Sequence, residues 1–197
     1  MATRIAHPRI RVVAESRREP LIPNGVMGML IFVTTESMLF AGLISAFTII
    51  RSGASVWPPP GQPRLPIEET ALNSAALLLS GLLLYVARRR YSRDRESAKL
   101  PLLSSMLLGA FFVAFQGAEW VALIGQGLTI TSSPLGGFFY LIVGLHGLHA
   151  VAALLVLAYT WQRMRRGWLA SSQLATAEVF WYFVVGVWPI LYFVVYL

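Results

Sequence analysis

The fold is decided by a long apolar stretch, residues 134–162, which reads PLGGFFYLIVGLHGLHAVAALLVLAYTWQ. This stretch has no Lys, Arg, Asp or Glu, and it exceeds the roughly 20 residues that a helix needs to cross the ~30 Å hydrocarbon core of a membrane. Four further apolar runs lie at 25–50, 71–91, 101–125 and 173–197. The sequence therefore predicts an all-α fold, a polytopic transmembrane bundle of five helices.

Composition favours a lipid environment and excludes several classes of function. Of the 197 residues, 56% are hydrophobic and only 13% are charged, against about 25% charged residues in soluble domains. The chain has no cysteine, which excludes disulfides, thiolate metal sites, iron–sulfur clusters and c-type haem attachment. The formal net charge of +7 does not predict a nucleic-acid partner, because the cations lie in short segments between apolar runs.

The distribution of positive charge predicts the orientation of the bundle. All but two of the 16 Lys and Arg residues lie before the first run, around the second connection or in the fourth connection. Only Arg51 and Arg64 lie on the opposite side, and cytoplasmic loops carry the excess of Lys and Arg. We therefore expect an inner N-terminus and an outer C-terminus, with a basic cytoplasmic N-terminal segment at 1–23 and a five-helix transmembrane domain at 24–197. The first run is too long for a signal-peptide core, so we expect no processing.

The loop between the first two runs has a composition of its own. Residues 56–63 contain four prolines and a tryptophan, Trp57. Proline cannot continue a helix, and tryptophan suits the membrane interface. We expect this loop to form a stiff, extended cap on the outer side.

Glu36 is a carboxyl group near the middle of the first apolar run. Phe32 and Phe40 lie about one turn away on either side, and desolvation among such residues favours the protonated carboxyl. Ionisable residues inside membranes usually face protein or water and often have a function. Two interpretations stay open, a proton-related role and a carboxyl group satisfied by a neighbouring helix.

Gln116 and Glu119 on the third run are three residues apart and so share a helix face. We expect them to form one hydrogen-bonded unit, chiefly as polar glue at a helix interface. Ala110, Ala114 and Ala118 repeat beside them at four-residue spacing. This small-residue pattern allows close approach of membrane helices, and we expect the third helix to pack through it.

Two histidines, His146 and His149, share one face of the fourth run. Haem ligands usually come from two helices, and His7 is the other histidine of the chain but lies outside the apolar runs. A zinc or di-iron site needs further carboxylates in motifs that the sequence lacks. We therefore expect no metal here, and packing histidines hydrogen-bonded to Glu119, Glu36 or the backbone.

Glu178 lies near the inner end of the fifth run in this orientation. The cost of a charge falls toward the membrane surface, so we expect a solvated interfacial carboxylate. The aromatic residues that crowd the same run are expected to serve packing and lipid contact.

The residues from Gly28 to Tyr196 resemble, in chain order, the cytochrome c oxidase subunit III family. The matching positions are Gly28 to Phe32 with Glu36, Phe40 and Gly42; Trp57, Pro58, Pro59 and Gly61; Leu72, Asn73 and Ser74; Gln116 and Glu119; Gly144 with His146 to His149; and Phe180, Trp181, Tyr182, Phe183, Val187, Trp188 and Tyr196. Each motif is a weak signal alone, but their shared order and compatible spacing make a strong one. The resemblance is to the short, five-helix form of the family.

This resemblance implies a non-redox core subunit of a haem-copper terminal oxidase. It implies a place beside the catalytic subunit I and subunit II, which carry the haem and copper, in contact with membrane lipids of a bacterial plasma membrane. A larger respiratory supercomplex also fits. The chain itself is expected to bind no cofactor and to have no autonomous active site, while it stabilises the catalytic subunit and supports proton uptake during oxygen reduction in aerobic respiration.

The sequence departs from the family pattern at Tyr182 and Val185, where the family usually has His and Asp. That polar pair is therefore not expected here. Two other functions fit the sequence: the subunit-III-like partner of a nitric oxide reductase, and a small proton-coupled transporter that uses Glu36 and Glu119. No inverted repeat or pair of broken helices supports the transporter.

Overall fold

Five long helices make up the protein, as seen in a computed structural model that describes residues 22–197. Their bounds are α1 Asn24–Gly53, α2 Ile67–Tyr91, α3 Arg95–Gly125, α4 Pro134–Arg165 and α5 Ser171–Leu191, and α5 continues as a π-helical turn at Tyr192–Tyr196. Each is long and apolar enough to cross a membrane, and the described range contains no strand. The predicted all-α bundle of five helices is confirmed. Most of the predicted basic segment at 1–23 lies outside the described residues.

The helices extend beyond the predicted apolar runs at several ends because polar residues complete them. The third helix begins at Arg95 rather than at residue 101, and Asp94 caps it by accepting hydrogen bonds from the backbone N–H groups of Glu96 and Ser97 at 3.1 and 3.0 Å. These backbone hydrogen bonds lower the pKa of Asp94 below its usual value. Pro101 lies inside the helix. Apolar length alone therefore underestimates α3 at its N-terminal end.

The helix α5 lies at the centre of the bundle, and α1 lies at its edge. α5 packs against α1, α2 and α4, whereas α2 and α3 form a close antiparallel hairpin joined by residues 92–94. Ser105 of α3 donates to the backbone oxygen of Ser80 in α2 at 2.7 Å. Small side chains at this crossing let the two backbones approach closely.

Two tryptophans fix α5 to α2. Trp181 and Trp188 are fully buried, and they lie on one face because seven residues span about two turns. Trp181 Nε1 donates to Ser80 Oγ at 3.1 Å, and Trp188 Nε1 donates to Ser74 Oγ at 2.7 Å. Each buried indole thus satisfies its only donor on the neighbouring helix.

The alanine pattern of α3 does not mediate packing within this chain. Ala110, Ala114 and Ala118 are all exposed, so the row makes no close helix contact within residues 22–197, and packing of this row against another subunit stays a prediction. The inner face of α3 is offset from this row and carries Gly109 and Phe112, both buried. Four-residue spacing identifies a row of small residues, but the side chains of the other helices decide which row faces inward.

The loop between α1 and α2 folds back onto the bundle. The ring of Trp57 packs on Phe47 of α1 with centroids 5.6 Å apart. The backbone N–H of Gln62 donates to the carbonyl oxygen of Pro59 at 3.2 Å, and Gly61 between them has a positive φ of 81°. The loop therefore covers the bundle as the expected cap does, but it is not extended throughout, because Gly61 accepts a left-handed conformation and closes a turn.

Candidate functional site

A carboxyl–imidazole contact joins α1 to α4 inside the bundle. Glu36 Oε2 lies 3.1 Å from His149 Nε2, and His149 Nδ1 lies 2.8 Å from the carbonyl oxygen of Leu145 on the preceding turn. A carbonyl oxygen only accepts hydrogen bonds, so Nδ1 carries a hydrogen and donates it. Both ring nitrogens of His149 are therefore engaged.

The hydrogen bond between Glu36 and His149 holds one proton. With Nδ1 protonated, His149 is either a neutral imidazole that accepts at Nε2 or an imidazolium that donates there. In the first form Glu36 is a carboxylic acid, and in the second it is a carboxylate. The two forms differ only by the position of one proton along the same bond, so its transfer between the two partners needs little movement.

Aromatic side chains enclose this pair and limit its contact with water. Four rings have centroids 5.7 to 6.3 Å from that of His149, and they belong to Phe32, Phe40, Phe180 and Phe183. The side chains of His149 and Glu36 are 10% and 19% exposed. Electrostatic interactions are stronger in such surroundings than in water.

His146 lies on the same side of α4 but in a different setting. It is 1% exposed, and neither ring nitrogen has a hydrogen-bond partner within residues 22–197. Its ring lies 5.0 Å from that of Trp188 and meets Phe40 and Phe112 edge-on at 6.3 Å. The expectation of a hydrogen-bonded histidine is confirmed for His149 and wrong for His146.

A second polar cluster connects α2, α3 and the end of α5. Gln116 Nε2 donates to Glu119 Oε2 at 2.7 Å and to the hydroxyl oxygen of Tyr196 at 3.0 Å. The hydroxyl of Thr70 lies 3.2 Å from both carboxyl oxygens of Glu119 and 2.7 Å from the carbonyl oxygen of Pro66. Gln116 and Glu119 thus form one hydrogen-bonded unit at a helix interface, as their spacing predicted.

Glu178 is buried rather than solvated, so its predicted environment is wrong. Its side chain is 10% exposed, and its Oε2 lies 3.6 Å from Nε of Arg88 in α2. Arg88 also donates from Nη1 to the hydroxyl and the carbonyl oxygen of Ser171, both at 3.0 Å. The packing of α5 directs Glu178 toward α2, where the guanidinium compensates its charge.

These polar groups do not assemble into a metal centre. Across the part of the chain that the structure describes, no three His, Asp or Glu side chains lie close enough together to hold a metal ion. The contacts form three separate sites: Glu36 with His149 joins α1 to α4, Arg88 with Glu178 joins α2 to α5, and Gln116 with Glu119 lies on α3.

Comparison with known proteins identifies the family of this arrangement. The family model described as cytochrome c oxidase subunit III matches residues 15–197. The chain belongs to the cytochrome c oxidase subunit III family. With five helices able to cross a membrane, this subunit III homologue is a multi-pass membrane protein.

Individual relatives of the subunit III family match most of the chain. The protein named probable cytochrome c oxidase subunit 3 of Mycobacterium leprae is 33% identical over 88% of this chain and 88% of its own length. The protein of the same name from Nocardia farcinica is 31% identical over 88% of each chain. Cytochrome c oxidase subunit 3 of Synechocystis is 30% identical over 87% of this chain and 75% of its own length.

The subunit III motif residues beyond the polar pairs hold helices together. Asn73 Nδ2 of α2 donates to the carbonyl oxygen of Phe112 in α3 at 3.1 Å. Val185 is buried, and its methyl group would lie 3.2 Å from a Cβ at Gly81. Tyr182 is 38% exposed. At Val185, α2 and α5 therefore meet through an apolar contact.

Several residues of these polar sites escape prediction from the sequence. Tyr196 and Thr70 complete the cluster around Glu119, and Arg88 compensates Glu178. Ser74 and Ser80 accept the two indole hydrogen bonds. The serines offered a signal, because a hydroxyl in an apolar span needs a partner, but no local pattern indicates which helix supplies it.

Proposed function

We propose that this chain is the non-redox subunit III of a haem-copper terminal oxidase in a bacterial plasma membrane. It binds beside the catalytic subunit I and subunit II, which hold the haem and copper. It has its N-terminus inside and its C-terminus outside, in contact with membrane lipids. Its role is to stabilise the catalytic subunit and to support proton uptake during oxygen reduction.

The observation that carries the proton-related part of this proposal is the contact between Glu36 and His149. The pair holds a proton that either partner is able to carry, and aromatic rings shield it. A subunit without redox centres influences catalysis through proton supply or through the integrity of its partner. A transferable proton between Glu36 of α1 and His149 of α4 fits an influence through proton supply.

The chemistry of the histidines supports the absence of a cofactor in this chain. His149 already uses both ring nitrogens, with Glu36 and with the carbonyl oxygen of Leu145. Haem ligation from opposite faces needs ligands that a single helix does not supply. The haem and copper of the complex are therefore assigned to its other subunits.

The assembly is tested by purification of the complex through an affinity tag on this chain. We expect haem-containing subunits that reduce oxygen to copurify in constant proportion, identified by mass spectrometry and by their visible spectra. Recovery of this chain alone, with transport activity in liposomes, would contradict the proposed assembly. The nitric oxide reductase partner and the small transporter gain no support from the named relatives.

The proton-related role is tested with Glu36→Gln in the intact complex. The glutamine amide still donates a hydrogen bond to His149 Nε2, so the geometry is kept while the titratable proton is lost. We expect assembly with unchanged haem spectra, and lower turnover or fewer protons translocated per electron. Stopped-flow proton uptake and oxygen consumption on the same sample measure both quantities.

Glu119→Gln is the matched control for this experiment. Glu119 is also a buried carboxyl, but its partners are Gln116 and Thr70 rather than a histidine. We expect it to alter stability and to leave proton uptake unchanged. Equal proton uptake in wild type and Glu36→Gln would leave Glu36 as a packing residue.

A further inference from the structure

A cavity lies at the end of the bundle where α1 ends and α2 begins. Its volume is about 270 Å³, and its wall includes Trp57 of the loop between these helices. At this end α1 stops at Gly53, α2 starts at Ile67, α4 starts at Pro134, and the π-helical turn after α5 stops at Tyr196. Because these spans all end at one level, the cavity lies at the membrane surface, where lipid head groups meet water.

The two cations of this end line the same cavity. They are Arg51 and Arg64, and the other Lys and Arg residues of the described range lie at the opposite end, within 88–99 and 163–166. Like charges that share one small cavity raise its electrostatic free energy, and a bound anion lowers it. The convergence of both cations therefore favours an anionic ligand.

Backbone oxygens hold Arg51 in the cavity wall. Its Nη1 donates to the backbone oxygen of Val194 at 3.1 Å, and its Nη2 donates to the backbone oxygen of Leu197 at 2.9 Å. These two bonds fix the guanidinium group and leave it further N–H donors. The side chain of Arg64 is exposed and makes no hydrogen bond within residues 22–197.

No acidic side chain of the described range forms an ion pair with either arginine. The ion pairs between residues 22 and 197 join other groups. Glu68 and Glu69 follow in the first turn of α2, but both are exposed and neither belongs to the cavity wall. The positive charge of the cavity is therefore not compensated by a neighbouring carboxylate.

The chemistry of the wall fits a phosphate group. A guanidinium group binds phosphate with parallel N–H···O bonds, and phosphate has enough oxygens to bind two arginines at once. Apolar side chains such as Leu65 and Val195 complete the wall, which suits the glycerol and first methylene groups of a lipid. We propose that Arg51 and Arg64 form a binding site for a phosphate group, carried by a phospholipid or by a soluble phosphate.

This site goes beyond the proposed subunit III function and does not depend on the proton-related role of Glu36. The lipid probe is phosphatidic acid with a diazirine close to the glycerol, and the matched probe is the same diacylglycerol without phosphate. Both are photolysed with the intact oxidase complex, and labelled residues are mapped by mass spectrometry. We expect labelling within 51–67 and 192–197 to be at least about fivefold stronger with phosphatidic acid, as a charge-assisted hydrogen bond predicts.

A second measurement identifies the source of the phosphate group. Radiolabelled inorganic phosphate is added to the same complex in equilibrium dialysis, alone and with an excess of phosphatidic acid. Preference for phosphatidic acid over diacylglycerol assigns the site to a phospholipid. Stoichiometric binding of inorganic phosphate, with equal labelling by the two lipids, assigns it to a soluble phosphate.

Variants test whether the two arginines form the site. Arg51→Gln and Arg64→Gln should each lower labelling by phosphatidic acid toward the diacylglycerol level, or abolish binding of inorganic phosphate. Arg166→Gln removes an exposed arginine at the opposite end of the bundle and should leave both measurements unchanged. A Gly-Ser extension after Leu197 removes any terminal carboxylate beside Arg51 and should also leave them unchanged.

Three outcomes would overturn the proposal. Equal labelling by both lipids without bound inorganic phosphate would show that the arginines recognise no phosphate group, as when an acidic side chain of another subunit fills the cavity. Phosphate binding that survives both glutamine variants would place the site elsewhere. Binding that appears only after the Gly-Ser extension would show that a carboxylate at Leu197 occupies Arg51. Unchanged haem spectra test assembly, and Arg64→Gln breaks no contact within residues 22–197, so it keeps the test valid if Arg51→Gln fails to assemble.

Discussion

Trp181 of α5 occupies the space that a side chain at Gly109 of α3 would need. A Cβ at position 109 would lie 2.5 Å from Cη2 and 2.6 Å from Cζ2 of the Trp181 ring. The indole is fully buried and donates to Ser80 Oγ of α2. Three helices therefore meet at one glycine.

We predict that Gly109→Ala destabilises the subunit. The added methyl group forces the Trp181 ring or the α3 backbone to shift, and overpacking of this kind typically costs ~1–3 kcal/mol. The expected result is a lower thermal midpoint for release of this subunit from the complex. Differential scanning fluorimetry of the purified complex, with subunit composition followed on heating, measures it.

The control for this prediction is Gly117→Ala on the same helix. No atom lies within 4 Å of a Cβ there, and alanine favours a helix over glycine by up to ~1 kcal/mol. We expect an unchanged or slightly raised midpoint. Equal midpoints for Gly109→Ala and Gly117→Ala would contradict the close contact with Trp181.

We expect the loss of Arg88 and the loss of Glu178 to lower the stability of the subunit by different amounts. Arg88 is 35% exposed and is able to reach the membrane surface when its partner is lost, whereas Glu178 is only 10% exposed. Arg88→Met leaves the buried carboxyl of Glu178 without its cationic partner, so the group must stay as an uncompensated charge or take up a proton, and both cost stability. We expect Arg88→Met to lower the thermal midpoint more than Glu178→Gln.

The double variant Arg88→Met with Glu178→Gln tests the mechanism of this asymmetry. Removal of both charges leaves no unpaired buried charge, so we expect stability close to that of Glu178→Gln alone. A double variant as unstable as Arg88→Met would show that loss of the Arg88 contact to Ser171, rather than the unpaired carboxylate, causes the loss.

The number and class of the helices could be predicted because the bilayer constrains them strongly. A helix in lipid satisfies its own backbone hydrogen bonds, so apolar length alone reveals a span. The run at 134–162 shows this clearly, and it lies within α4. Helix ends were less predictable: Asp94 caps α3 outside the apolar run, and hydropathy gives no weight to such a cap.

The polar pairs could be predicted only where both partners lie on one helix. Gln116 and Glu119 are three residues apart, and their contact follows from helical geometry. The partner of Glu178 lies on another helix, so only the packing of α5 against α2 reveals it. The alanine row of α3 faces away from the other helices of this chain, and the sequence does not show this because spacing within a helix does not reveal which side faces its neighbours.

The orientation of the chain is a prediction that reporter fusions test. All but two of the 16 Lys and Arg residues lie on one side of the five spans, which places that side in the cytoplasm. We expect alkaline phosphatase to be active when fused after Leu197 and inactive when inserted after Ser92. The reverse pattern would invert the orientation, and equal activities at both sites would show that a span has been miscounted.

Two alanines of α3 distinguish its inner face from its outer face. Ala98 is fully buried, whereas Ala114 is exposed. Leucine at position 98 overfills a packed contact at a typical cost of ~1–3 kcal/mol. We expect Ala98→Leu to lower the thermal midpoint of the subunit more than Ala114→Leu. A larger effect at Ala114 would show that another subunit packs against the exposed row.

The last prediction concerns the protonation of the Glu36 and His149 pair. Separated charges are costly among aromatic rings, so the uncharged form, a carboxylic acid that donates to a neutral imidazole, is favoured over the ion pair. Hydrophobic carbodiimides enter lipid and add to protonated carboxyl groups. Glu119 is only 9% exposed and accepts a hydrogen bond from Gln116. We therefore expect labelling of the intact complex to concentrate on Glu36.

Variants of Glu36 and of His149 test this expectation. Glu36→Gln should remove the label, and His149→Phe should keep it, because loss of the imidazole leaves a carboxylic acid in apolar surroundings. Tryptic mapping of the labelled subunit at pH 7 measures the site and the yield. A wild-type protein that resists the reagent, together with a His149→Phe variant that reacts, would show that the native pair is an ion pair with its proton on the imidazole.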